Sequence, residues 1–356
     1  MAEEGHEVHV YAEQWEGEVQ GVHFHRVKTL PFPKSLRLLS FAIQATRAMK
    51  GGNYGVTLGV GNTLEADVLQ PHGGVHWAWF WRSLRVYDNP ILWGVKLLGR
   101  VLSPKQWVSG WIEDAPYKKK SLHKIVAISG MVKQDIIRWY GISDDQIEVI
   151  YNGVNIERFH PRNRQYREEI RRRHGIANEF VILFVSNNFR MKGLGFLVKA
   201  LARIKGESHS PFKLLVLGRD RKESYLRLAR KFGVSEEVVF AGSTHEPEKY
   251  YGASDLLVHP TFYDACSLTV LEALASGLLV ITTSSNGASG MIRPEEGRVI
   301  RDPRNLEELT EAVRYFLERG VKRPITLEEE HGTGHYSDRI NFGQMMRVFG
   351  EITPKC

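Results

Sequence analysis

Acidic, basic and glycine residues collect at the ends of short apolar runs in the second half of the chain, and their types suit the grip of an anion. The fullest stretch is Thr261-Phe-Tyr-Asp-Ala-Cys-Ser-Leu-Thr-Val-Leu-Glu-Ala-Leu-Ala-Ser-Gly277. It reads as a strand end, a loop and the opening of a helix, with Ser267 at the N-cap. The N–H groups of Ala265, Cys266, Ser267 and Leu268 lie where a helix start leaves donors free, so they form a candidate anion site. Asp264 stands in the loop. Leu268, Leu271 and Ala275 make a core-facing stripe, with Glu272 beside it, where a carboxylate is costly unless a ligand or partner uses it. Ordinary acidic capping and a surface glutamate would explain the same residues, and this segment alone does not choose.

A second candidate is Ser186-Asn-Asn-Phe-Arg-Met-Lys-Gly193, also at a strand end. Arg190 and Lys192 precede a helix, where the dipole disfavours cations. An anion placed between them and the helix, such as a diphosphate, removes the conflict; a solvated basic loop is the bland alternative. Gly218-Arg219-Asp220 and Gly242-Ser-Thr244 add small and polar residues at two further strand ends. In the first half, Pro71-His-Gly-Gly-Val-His76 sets His72 and His76 around Gly73 and Gly74. An imidazole there can move a proton or bond a sugar hydroxyl. A metal is not expected, because no neighbouring Asp, Glu or Cys completes a ligand set. Structural histidines in a glycine turn remain the plain reading.

These residues need elements to hold them. Apolar runs at 180–185, 213–218, 238–242, 256–260 and 279–283 predict buried strands, and Leu194, Leu197, Leu201 and Ile204 recur at helical spacing between two of them. Strands alternating with helices imply a parallel, doubly wound sheet, with ligands at its carboxyl edge. In the first half, 7–11, 56–60, 124–128 and 147–151 predict strands. Asn152-Gly153 is a turn signal. Met1 to Gly5 reads as the last turn of a helix closed by glycine. A nucleotide-binding half normally opens with a strand and a glycine loop before that helix. About 25–30 residues of such a unit are therefore expected to be missing ahead of Gly5, unless the domain begins on a different strand.

With 356 residues, 42% hydrophobic and 25% charged, the composition is that of a globular protein with room for two domains. Two cysteines, Cys266 and Cys356, exclude a disulfide framework and fit a cytoplasmic location. No signal peptide or spanning run is visible. A net charge of +7 favours an acidic partner. Six of the eight tryptophans fall between Trp77 and Trp111, interleaved with Arg82, Arg85, Lys96, Arg100 and Lys105 and followed by Lys118 to Lys120. That mixture over 77–120 suits an anionic membrane surface, and equally suits aromatics packed between helices. No nucleic-acid-binding module accompanies it.

The combination resembles the retaining family-four glycosyltransferases, in particular the bacterial lipopolysaccharide core glucosyltransferase group. Val149-Ile-Tyr-Asn-Gly-Val-Asn-Ile-Glu-Arg-Phe-His-Pro161 is similar to that family's domain-linking stretch. Asn188 to Gly193 is similar to its phosphate loop, and Ala253 to Pro260 to the strand before its donor site. Asp264 and Glu272 stand in its E-x7-E frame, the first acid being one methylene shorter. The resemblance implies an α/β GT-B fold of two Rossmann-like, doubly wound domains facing a cleft, the first lacking its opening strand and glycine loop. It implies boundaries at 1–151, 152–178 (linker and hinge), 179–320 (donor domain) and 321–356 (a tail returning to the first domain).

It further implies retaining transfer of a hexose, glucose from a UDP-sugar, to a lipopolysaccharide-core or other glycolipid or glycan acceptor, with no metal or other cofactor. Glu272 would hold the ribose, and Asp264 with the following amides the sugar. Arg190 and Lys192 would neutralise the diphosphate. Gly218, Arg219 and Gly242 would line the donor site. His76 would sit over the sugar from the opposite domain as a catalytic residue alongside Arg190, Lys192 and Asp264, and His72, Gly73 and Gly74 would be acceptor-side candidates. The enzyme would work at the inner face of the cytoplasmic membrane. Two other readings remain: a catalytically impaired nucleotide-sugar-binding module, and a GT-B sugar-nucleotide epimerase.

Overall fold

Aliphatic and β-branched runs bounded by Gly, Pro and polar residues form three all-parallel sheets in the computed structural model, which describes residues 1–207, 210–320 and 335–352. The chain divides into two compact units. The first comprises residues 1–128, 132–149 and 345–356, and the second comprises 129–131 and 150–344.

The second unit is built on strands β7 (Phe180–Val185), β8 (Phe212–Leu217), β9 (Val238–Gly242), β10 (Leu256–His259), β11 (Leu279–Thr283) and β12 (Gly297–Ile300), in the order β12-β11-β10-β7-β8-β9. All residues of β10 and β11 are buried, as a parallel sheet covered on both faces requires. On one face, α7 (Leu194–Glu207) presents Leu194, Leu197, Leu201 and Ile204 to the sheet, and α11 (Leu306–Arg319) adds Leu309, Val313 and Phe316. The chain leaves β7 towards β8 on one side, while β10 occupies the other. The β7 and β10 ends therefore flank a switch point, where a parallel sheet opens a crevice.

The stretch expected as a linker, 152–178, lies in this unit and carries α6 (Arg167–Arg173). Arg167 and Arg171 clamp it to Asp255, just before β10, at 2.6 and 2.8 Å.

In the first unit β3 (Leu58–Gly59), β4 (Val68–Leu69), β5 (Lys124–Ala127) and β6 (Ile147–Val149) form a four-stranded sheet, and β1 (Val8–Ala12) pairs with β2 (Val22–Arg26) separately. Ahead of β1, Ala2–Glu4 makes a 3-10 turn closed by Gly5 at φ 86°. Helices α1 (Lys34–Gly51), α2 (His76–Arg82), α3 (Pro90–Val101), α4 (Pro104–Tyr117) and α5 (Gly130–Tyr140) follow the strands. Strands β2, β4 and β12 were not expected. β2 interrupts its apolar run with histidines, β4 is two residues long, and β12 is a short edge strand with Arg298 and Val299 exposed. Of the 321–356 tail, 321–334 and 353–356, Cys356 included, lie outside the described residues; α12 (Asp338–Ile352) gives the first unit its residues from Met345 onward.

Candidate functional site

At the β7–β10 switch point the two strongest sequence segments meet. Gly193 makes this possible: its φ is 78°, and a Cβ there would stand 2.2 Å from the Pro260 carbonyl oxygen. The Phe262 amide donates to the Met191 carbonyl at 3.0 Å and stitches the β7 loop to the β10 loop. Lys192 Nζ then reaches Asp264 Oδ2 at 2.5 Å and the Tyr263 carbonyl at 3.2 Å. An ammonium has three donors, so one N–H remains for a further acceptor. Asp264 Oδ1 has no partner among the described residues and can accept a hydroxyl. Burial alone would raise the Asp264 pKa, but His259 and Lys192 together hold it well below the usual carboxylate range. The His259 Nε2 lies 3.6 Å from Asp264 Oδ2, and desolvation lowers the pKa of this fully buried imidazole.

A third loop braces the Asp264 segment. Asn286, past the end of β11, bonds Thr282 Oγ1 through Nδ2 at 2.9 Å and accepts from the Ala288 amide at 3.1 Å. Gly287 donates to the Asp264 carbonyl at 2.8 Å, and Ser129 Oγ donates to the Ala265 carbonyl at 2.7 Å. Asn286 Oδ1 also accepts from the Ser267 amide at 3.2 Å, which corrects the expected donor set. Ser267 is committed to the protein, and the amides of Ala265, Cys266 and Leu268 remain without acceptors among the described residues. Ser267 stands at the N-cap of α10 (Leu268–Ala275) without a side-chain capping bond. The Leu268 side chain, expected in the core stripe, is exposed, while Leu271 and Ala275 are buried. Its place at the first helical position turns it out beside the free amides. Cys266 is buried, its thiol pKa pushed up to about 12 by desolvation, which excludes a thiolate role near neutral pH.

Glu272 lies one turn into α10. Tyr251, fully buried on α9 (Pro247–Ala253), donates to its Oε2 at 2.7 Å; burial raises the Glu272 pKa, and Tyr251 and Arg158 oppose that rise. Glu272 Oε1 has no partner among the described residues, so one oxygen is anchored and one can accept. Arg190 takes a different position from Lys192. Its guanidinium bonds Tyr225 of α8 (Glu223–Lys231), in a neighbourhood shared with Asp220. Asp220 accepts from the Phe189 amide at 2.8 Å, and Asn187 Oδ1 accepts from the Arg219 amide at 3.0 Å, fixing the phosphate-loop candidate from the β8 side. Gly218 has φ 139°, a Cβ there would meet the Ser186 carbonyl at 1.7 Å, and its amide donates to the Gly242 carbonyl at 2.8 Å. Gly218 thus shapes this rim through close backbone approach, and Gly242 through its φ of 76°, since a Cβ there would meet nothing.

In the first unit the turn after β4 holds the histidines. Gly74 has φ 72° and donates to the Pro71 carbonyl at 2.9 Å; at Gly73 a Cβ would meet nothing. His72 Nε2 pairs with Gln70 Oε1 at 3.0 Å. His76 opens α2, its amide donating to both oxygens of Glu113 at 2.8 and 3.0 Å. Desolvation lowers the His76 pKa, with Arg100 and Lys105 adding to the effect against an opposing backbone bond to Gln106. Its Nε2 is buried without a partner among the described residues. Glu113 also accepts from Tyr140 at 2.5 Å, and burial pushes its carboxyl up to about 7.

Tyr251, Asn286, Ser129 and Glu113 escaped the sequence reading. Asn286-Gly287 follows a strand just as the other motifs do and could have been found by extending that rule to β11. The other three reach their partners across 21, 136 and 37 residues, and nothing in their spacing marks the pairing.

Known proteins share this architecture. WaaG, described as a glycosyltransferase involved in lipopolysaccharide biosynthesis, superposes with a TM-score of 0.74 at 23% identity, over 99% of this chain and 93% of that one. The Anabaena protein HepE in complex with UDP superposes with a TM-score of 0.62 at 16% identity, over 93% and 86%. The fold is thus GT-B. In sequence, the lipopolysaccharide glucosyltransferase WaaG of Escherichia coli (strain K12) is 25% identical over 349 residues, 95% of this chain and 87% of that protein. Residues 166–330 match the family model for glycosyl transferases group 1, and residues 1–158 match that for glycosyltransferase family 4. The chain belongs to the family-four type of GT-B glycosyltransferases, and it is an enzyme of glycosyl transfer.

Proposed function

We propose that the chain transfers a hexose, glucose from UDP-glucose, with retention and without a metal ion, to a lipopolysaccharide-core or other glycolipid acceptor in the cytoplasm. One observation carries the reading: the Lys192–Asp264 pair at the switch point, beside the free amides of Ala265, Cys266 and Leu268. A nucleotide diphosphate-sugar needs these groups together. The third N–H of Lys192 meets a phosphate oxygen, the amides meet the sugar or phosphate, and Asp264 Oδ1 takes a sugar hydroxyl. Glu272 Oε1 accepts from the ribose, held in aim by Tyr251. Arg190 adds positive charge from the β8 side. UDP in the Anabaena relative and the glucosyltransferase name of the Escherichia coli relative support the choice of donor.

In the transfer the bond between the sugar's anomeric carbon and the β-phosphate oxygen breaks. The acceptor oxygen bonds the same carbon on the same face, and the acceptor's proton passes to the departing phosphate. Lys192 stabilises the charge that develops on that phosphate.

The test is hydrolysis and transfer across UDP-, GDP- and ADP-sugars, with and without EDTA, following the anomeric configuration of the product by NMR. UDP-glucose should be consumed fastest, EDTA should leave the rate unchanged, and the product should keep the α configuration. Preference for another nucleotide, or activity lost to EDTA and restored by magnesium, would contradict the proposal.

A further inference from the structure

A histidine ends β10, where the rest of the strand is Leu-Leu-Val, and it is as deeply buried as they are. The backbone of His259 is held on the β11 side and by its own turn. Its carbonyl accepts from Thr282 Oγ1 at 2.8 Å and from the Thr261 amide at 2.8 Å. The ring lies against Phe184 of β7, with centroids 6.3 Å apart and planes 25° from parallel. Neither ring nitrogen has a hydrogen-bond partner among the described residues. Burying an imidazole with both nitrogens unmatched is costly, and packing alone would be served better by an apolar side chain.

One charged group stands before the ring. Nε2 is 3.6 Å from Asp264 Oδ2, the same oxygen that Lys192 Nζ reaches at 2.5 Å. Desolvation lowers the pKa of the ring from its ordinary 6.5 and outweighs the upward pull of Asp264, so the imidazole is neutral at pH 7. A neutral imidazole carries one proton, on Nδ1 or on Nε2. With the proton on Nδ1, the Nε2 lone pair would face a carboxylate and a buried N–H would have no acceptor. With the proton on Nε2, the N–H dipole points at the anion, and a buried site favours that arrangement strongly. Asp264 Oδ2 then has an ammonium and an imidazole N–H beside it, while Oδ1 has no partner among the described residues. The terminal torsion of an aspartate is broad and two-fold, so without such a bias its two oxygens would exchange places.

We propose that His259 is a positioning residue: its Nε2–H holds Asp264 Oδ2 on the Lys192 side and so presents Oδ1 to a hydroxyl of the transferred sugar. The nucleotide is left to Glu272. The proposal rests on the reading of Asp264 as the group that takes a sugar hydroxyl.

The experiment compares the parent with His259→Phe, which keeps a ring against Phe184, and His259→Gln, whose amide nitrogen is a donor at a similar reach. Calorimetry gives the affinities for UDP and UDP-glucose, turnover gives kcat, and histidine 15N spectra give the tautomer, the His259 signal being assigned by its loss in His259→Gln. His259→Phe should bind UDP as the parent does, bind UDP-glucose about three- to tenfold more weakly, and lose about tenfold or more in kcat. His259→Gln should recover most of both losses. In an Asp264→Asn background, His259→Phe should weaken UDP-glucose binding no further, because its effect runs through the carboxylate. The parent's ring should be the neutral Nε2–H form, and its signal should move in Asp264→Asn. An Nδ1–H ring, or losses that add in the double variant, would overturn the proposal and leave a histidine of the core; the spectrum decides this even where His259→Phe fails to fold. A parent that binds no UDP would instead remove the donor reading, and the sugar role of His259 with it.

Discussion

Lys192 and Asp264 each have a bond to spare, and that is the residue-scale basis of the site. A pair closed on itself would be structural. Here the lysine keeps one N–H and the carboxylate one oxygen, and Glu272 repeats the arrangement with Tyr251 on Oε2. Glu113 in the first unit has both oxygens engaged, by the His76 amide and by Tyr140, and it carries a pH signature. Burial pushes its folded pKa up to about 7, above the 4.5 of an exposed glutamate. The folded state therefore holds a proton that the unfolded state releases between those values. The stabilisation it contributes is full below about pH 4.5 and is lost as pH rises through 7, by about 3 kcal/mol in all. Glu113→Gln, which stays neutral, should remove this slope. The stability difference between variant and parent should grow in the variant's favour from pH 5 to about pH 8, measured by urea unfolding. A constant difference would mean that Glu113 does not titrate there.

At the scale of elements, the site depends on two loops being able to touch. Gly193 combines positive φ with a 2.2 Å approach to Pro260, whereas Gly233, at φ 72°, would place a Cβ in open space. Gly233→Ala should cost about 1–2 kcal/mol, the strain of the left-handed conformation alone. Gly193→Ala should cost about 2–4 kcal/mol and reduce UDP affinity as the β7 and β10 loops separate. Equal losses in denaturant unfolding would show that the close approach is unimportant. These elements were largely legible beforehand. The apolar runs of β7, β8, β10 and β11 stand out because strands buried on both faces read as nearly continuous hydrophobic runs, and α7 shows its helical spacing without interruption. The short or edge strands β2, β4 and β12 had no such signal, since a strand that is partly solvated may carry histidine or arginine. Among site residues, the loop positions Lys192 and Asp264 were readable from their place at strand ends. What could not be read was commitment: that Ser267 gives its amide to Asn286, that Leu268 turns outward, and that Arg190 bonds Tyr225 are consequences of which loops the sheet order brings together.

At the scale of the whole molecule, the two units divide the residues of interest. The second contains the complete donor-site candidate, including Ser129 contributed from the first half of the sequence. The first contains the His72–His76 turn. The family models over 1–158 and 166–330 agree with this two-part organisation of the sequence.

The most direct measurement is calorimetric titration of UDP into the parent chain and into Glu272→Ala, with the fold of both verified by thermal melting. Glu272 offers the nucleotide one acceptor held in place by Tyr251, so its removal should weaken binding by about tenfold, the loss of one well-made hydrogen bond. Equal affinity in the two proteins, or no binding of UDP to the parent, would contradict the assignment of the β7–β10 crevice as a nucleotide-sugar site.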